Sequence, residues 1–213
     1  LEKSADLKKK PYYCIKTNRE MRLVINLILA AIVVGLVWVL ISSIREPIAF
    51  KAERNKREQA VIDKLIMIRD AQEAFRDIAG GFAPSFDSLK EVLRNDSFVL
   101  IKVIGDPDDP NFTGEIIYDT TYTPAYDSIR KIGIRLDSLE YIPYSGGATF
   151  NISADTITYQ NTLVDVVEVG TERSTYMGRF ADPRFARYDQ SYNPNSVIKF
   201  GDMNKPNLSG NWE

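Results

Sequence analysis

The chain has no histidine among its 213 residues, and its single cysteine, Cys14, lies near one end. Without imidazole there is no Ser-His-Asp or Cys-His arrangement, no histidine zinc ligand and no histidine general base. One cysteine cannot form an intrachain disulfide, and a cysteine-free region after residue 14 argues against a eukaryotic secreted domain. Basic excess is missing too. The net charge of −2 offers phosphate backbones no attractive surface, so nucleic acid is not an expected partner. No aspartate or glutamate occurs between residues 23 and 44, the most apolar stretch. A proton-carrying stator with a single span needs an intramembrane carboxylate there, so that class is disfavoured.

The stretch itself reads LVINLILAAIVVGLVWVLISSI, from Leu23 to Ile44. As a helix rising about 1.5 Å per residue it reaches roughly 33 Å, against a hydrocarbon core of about 30 Å. A buried soluble helix of this length would carry a polar face, and no small-x-small cleavage site follows the run. The expectation is a retained membrane anchor in contact with the lipid bilayer. Asn26 lies near its start, Gly35 and Ala31 give it a small-residue face, Trp38 falls in its second half and Ile44 closes it. Residues 1–22 carry seven Lys/Arg against three acids, and residues 45–64 carry six against four. Charge bias alone barely orients the span. A short tail stays inside more readily than a large domain, so the N-terminus is expected in the cytoplasm and the C-terminal domain outside.

Five regions follow from pattern: a basic tail (1–22), the span (23–44), a charged and then amphipathic helical region (45–95), an antiparallel β domain (96–170) and a loop-rich aromatic tail (171–213). Pro47 is expected to kink or interrupt the helix leaving the membrane. Val61, Leu65, Ile68, Phe75 and Phe82 then recur at helical spacing, and Gly80-Gly81 ends the run. This stripe is either the seam against the domain's own sheet or a contact with sister copies. Ser85 is the expected N-cap of a second helix bearing Phe86, Leu89, Val92 and Leu93. Strands are expected at 97–105, 115–118, 132–135, 141–144, 149–152, 156–159 and 164–169, meandering as one antiparallel sheet, with a further one at 197–200. The fold class is therefore α+β, a long helix first and a sheet after.

The tail 171–213 is rich in arginine and aromatics, the residue types enriched at protein interfaces. Leu65, Ile68 and Phe75 on the helix, and Phe180, Phe185 and Tyr188 in the tail, are the candidate contact residues. Wrapping of the tail over the domain's own sheet is the alternative. Asp106, Asp108 and Asp109 could offer oxygen ligands to calcium, but they match no EF-hand spacing and read more simply as an acidic turn. No cofactor or catalytic residue is expected.

Two resemblances add to this reading. Asp followed by Ser or Thr and then an aliphatic or Thr residue occurs five times after the span, with hydroxyls on Ser88, Thr120, Ser128, Ser138 and Thr156. The pattern resembles the O-glycosylation acceptor motif of Bacteroidota, which implies an extracytoplasmic domain. The anchor followed by Ala71-Gln72, Phe75, Gly81-Phe82, Ser85-Phe86 and Leu89 is similar to type IV pilins and type II secretion pseudopilins. Those proteins carry a glycine before the processing site and a glutamate five residues into the mature helix. Here Glu20 precedes Met21, and Ile25-Asn26 stand where the acid belongs. The resemblance thus implies architecture, not filament processing. The function expected is a non-enzymatic inner-membrane protein, a structural or assembly subunit of an envelope machine for secretion, motility or a pilus-like assembly. Its partners would be other envelope proteins or its own copies. A membrane-anchored periplasmic ligand-binding domain, a sensor or carrier, is the alternative. The first predicts an exposed apolar surface on the domain, the second a concave pocket lined by tyrosines.

Overall fold

The computed structural model describes residues 19–104 and 117–213. The basic tail up to residue 18 and the acidic turn with Asp106, Asp108 and Asp109 lie outside them. The chain divides into two units, residues 1–48 and 49–213. In the first, the side chains from Met21 to Glu46 are all exposed, Leu23 at 63%, Trp38 at 71% and Ile44 at 52%. Asn26 is exposed among them, and a Cβ added at Gly35 would meet nothing. Helix α1, Arg19–Ala79, is long and apolar enough in this part to cross a membrane. It continues through Pro47 instead of breaking there. A proline inside a helix removes one backbone donor and crowds the preceding turn, yet the helix runs on past this one.

The second unit is α+β, as expected. The last part of α1 buries Phe50, Val61, Leu65, Ile68, Ala71, Gln72 and Phe75. Gly80 closes the helix with φ +82°, its N–H donating to the Arg76 carbonyl at 2.8 Å. Helix α2, Phe86–Asn95, starts at Ser85, whose hydroxyl accepts from the Ser88 N–H at 3.2 Å, and it buries Phe86, Leu89 and Leu93 against α1 and its neighbours. The buried Gln72 amide clamps the connection, accepting from the Ala83 N–H at 2.9 Å and donating to the Ala83 carbonyl at 3.1 Å.

The expected single meander is instead two sheets. Strands β1, Ser97–Ile104, and β2, Ile117–Pro124, form an antiparallel hairpin. Strands β3, Asn151–Tyr159, β4, Thr162–Glu172, and β5, Val197–Gly201, form a three-stranded antiparallel sheet in the order β3-β4-β5. The expected strands at 149–152 and 156–159 are thus one strand. The segment expected as a strand at 132–135 is the turn after helix α3, Ala125–Lys131, which buries Ala125 and Ile129. Gly133, with φ +90°, makes that turn. The expected strand at 141–144 contributes one isolated bridge, Tyr141 to Thr149.

The tail is more ordered than its composition suggested. Helix α4, Arg173–Met177, leads into 3-10 turns over Gly178–Ala181 and Pro183–Tyr188. The last residues then close the outer edge of β5: the Asn211 N–H donates to the Lys199 carbonyl at 3.0 Å, and the Gly201 N–H to the Ser209 carbonyl at 3.1 Å. Closing an edge this way removes a template for unwanted pairing.

Candidate contact surfaces

The residues singled out for contact with other proteins lie inward. Leu65 and Ile68 are fully buried, Phe75, Phe180 and Phe185 nearly so, and Tyr188 is half-buried against the same core. The helix stripe is therefore the seam of the domain's own core, and the aromatic tail is packed into it. The physical reason is Phe50. Its ring stacks on Phe185 at 5.6 Å, meets Phe180 edge-on at 5.7 Å and Tyr192 at 5.0 Å, and tilts against Tyr188 at 6.2 Å. The rings gathered around this one helical position turn their apolar faces to one another and bury them within the chain.

Polar bonds fasten the same segment to α1. Glu58 accepts from the Arg173 guanidinium at 3.0 and 3.1 Å and from Arg54 Nε at 3.1 Å. Arg54 also pairs with Asp189, and Arg57 donates to the Tyr176 carbonyl at 2.8 Å. Two serine bonds from Ser191, with Arg54 and Lys51 nearby, hold the Asp189 carboxyl below the ordinary range. Burial pushes the Tyr176 phenol far upward, with the Glu58 charge adding to it. Three arginines stack on the ring that follows each in sequence: Arg179 on Phe180 at 4.5 Å, Arg184 on Phe185 at 4.6 Å and Arg187 on Tyr188 at 4.6 Å.

An exposed apolar face of the domain lies elsewhere, on the hairpin. The Ala125 N–H closes its base on the Asp96 carbonyl at 3.0 Å, and Phe98 packs against the core. Past Phe98, every residue of β1 is exposed, as is all of β2 apart from Thr123. Directly paired residues of an antiparallel ladder share a face. Val99 pairs with Tyr122, Ile101 with Thr120 and Val103 with Tyr118, so one face holds three branched aliphatics, two tyrosines and a threonine without a charge. The opposite face includes Lys102 across from Asp119. Sequence reading identified the strand but missed its exposure. An eight-residue strand with five aliphatics reads as buried unless its partner strand is known to be its only cover.

The domain also carries concave sites. A cleft of about 270 Å³ lies between Arg76, Phe82, Asp165 and Leu208. An open groove of about 770 Å³ runs along Tyr126, Arg130, Arg135 and Asp137, with one tyrosine and mostly polar walls. Among the described residues no group of three or more Asp, Glu, His or Cys side chains could hold a metal ion.

The five candidate glycosylation hydroxyls are dispersed. Thr120 and Thr156 lie within strands and Ser88 and Ser128 within helices, with Ser138 in the 3-10 turn Leu136–Ser138. Thr120, Ser138 and Thr156 are exposed. Thr156 Oγ1 donates to Asp165 at 2.7 Å, and Ser128 Oγ points to the Pro124 carbonyl at 3.4 Å.

No protein-family model matches the chain, and no curated protein or solved structure is significantly similar to it.

Proposed function

We propose that this is a non-enzymatic, single-pass inner-membrane protein whose residues 49–213 form a periplasmic domain, and that it serves as a structural or assembly subunit of an envelope complex. The anchor rests on α1: an apolar helix with every side chain from Met21 to Glu46 exposed is unstable in water and at home in lipid. The subunit role rests on one observation, the charge-free face of Val99, Ile101, Val103, Tyr118 and Tyr122 on the hairpin. A two-stranded hairpin is marginal by itself in water. Covering each aliphatic gains about 1.5 kcal/mol or more before the cost of association. The hairpin is thus built as a contact arm to a neighbouring envelope protein. The pilin-like layout belongs to this proposal as architecture, and the Asp-Ser/Thr motifs as its extracytoplasmic mark. The sensor or carrier alternative finds less support, since neither cleft is lined by tyrosines of the sheet.

The test is sizing of the native protein in gentle detergent beside the variant V99T/I101T/V103T. Threonine keeps the β-branched shape and removes the apolar contact. The expected result is a stoichiometric particle for the native chain and a 24.2 kDa chain for the variant, with equal thermal stability. A native protein that already runs as a lone chain overturns the subunit reading.

A further inference from the structure

We infer that the arginine-stacked segment 178–188 is a docking surface for the anionic phospholipid headgroups of the bilayer that holds the anchor. The inference rests on the single-pass reading. Three observations carry it.

The first is charge. Residues 49–213 carry 19 Lys/Arg and 25 Asp/Glu, a net of −6. Within that acidic unit the segment GRFADPRFARY has three arginines and one acid, Asp182, which lies 3.8 Å from Arg184. Basic charge concentrated in an acidic domain is what an anionic surface selects. The second is presentation. Arg179 and Arg184 are exposed, while the rings beneath them, Phe180 and Phe185, are 2% exposed. Each guanidinium sits over a ring fixed in the core, at 4.5 and 4.6 Å from its centroid, so part of its side-chain freedom is already spent before it meets a phosphate, and the planar fork suits its oxygens. The third is tether length. Those rings pack around Phe50, six residues beyond Ile44, where the apolar run ends. Even fully extended, six residues reach only about 20 Å, so the cluster stays near the lipid surface whatever path the linking residues take. Solvated phosphate would satisfy the same guanidiniums, but it would not account for their position so close to the anchor.

The experiment uses the full chain in lipid nanodiscs, with hydrogen exchange of residues 178–189 as readout. Discs of phosphatidylcholine alone are compared with discs containing a third phosphatidylglycerol. Slower exchange is expected with phosphatidylglycerol at low salt and not at 0.5 M salt, where screening is short-ranged. R179Q/R184Q is expected to lose the effect, about fivefold per arginine, and R179K/R184K to keep most of it. Equal exchange in both lipids, an effect unchanged in R179Q/R184Q, or the same slowing from inorganic phosphate added to phosphatidylcholine discs would each overturn lipid docking alone. A chain that stays outside the discs overturns the single-pass reading and the docking with it.

Discussion

Phe50 stacks parallel to Phe185, 135 residues later in the chain, with ring planes 8° apart and centroids at 5.6 Å. Phe50 is the first buried residue after the apolar run, and it is fully buried. It therefore joins the start of the domain to the tail that covers it. Phe50→Ala removes the common partner of four rings and leaves a cavity between α1 and the 3-10 turns. The expected cost is about 3–5 kcal/mol, read from denaturant unfolding of the domain by intrinsic fluorescence. A loss below 1 kcal/mol would mean that the rings close over the gap and that Phe50 organises nothing.

Glu58 is the acid shared by two arginines. Its side chain is 15% exposed and bridges Arg54 to Arg173, so removing its charge leaves one carboxylate, Asp189 on Arg54, beside two half-dry guanidiniums. Glu58→Gln is expected to cost about 2–3 kcal/mol, since charged hydrogen bonds go and like charges remain. The double variant E58Q/R173M should recover part of that loss by removing the guanidinium whose carboxylate is gone, since Arg54 keeps Asp189. Additive losses in the double-mutant cycle would contradict the bridge.

How much of this was legible in sequence depended on whether the signal was local. The α1 stripe, the Gly80 stop and the Ser85 cap are signals of one turn, and each fell where its residues put it. The anchor run stood out from composition alone. What the sequence could not carry was partnership over long separations. Leu65 and Phe180 read equally well as core or as interface, because burial depends on what Phe50 and the tail do over a hundred residues apart. The hairpin was the reverse case. Val99, Ile101 and Val103 have strand spacing, yet nothing local says that no third strand covers them. Gln72 was visible as part of a motif, but its two bonds to Ala83 arise only once the chain turns back.

Asp189 ties the tail to α1 through Arg54 and is itself held by Ser191, whose N–H and hydroxyl donate to it at 2.9 and 2.6 Å. These bonds depress its pKa in the folded protein. A depressed carboxylate contributes stability that is fully present above its unfolded pKa of about 3.9 and is lost as pH falls through the lower folded value. Stability should therefore decline below about pH 4, with hydrogen exchange rising first around residues 182–192. Asp189→Asn should be less stable than the native chain at pH 6 and show a flatter decline below pH 4. Parallel pH profiles for the two proteins would remove Asp189 from this role.

Gly201 and Gly133 provide a matched pair for separating backbone strain from steric exclusion. Both have positive φ, +80° and +90°, so alanine is strained at either site. Their surroundings differ. A Cβ at Gly133 would meet nothing, whereas at Gly201 it would come within 1.9 Å of the Val167 carbonyl oxygen in the neighbouring strand. That oxygen belongs to backbone and cannot rotate aside, so β5 must move off β4 and lose the edge that Ser209 and Asn211 close. Gly133→Ala is expected to cost about 1 kcal/mol, and Gly201→Ala several times more, by comparison of thermal midpoints. Because the strain is common to both, the difference between them measures how tightly β5 is held to β4. Equal losses would mean that the sheet yields freely at this edge and that the closing turn at its outer side contributes little to holding it.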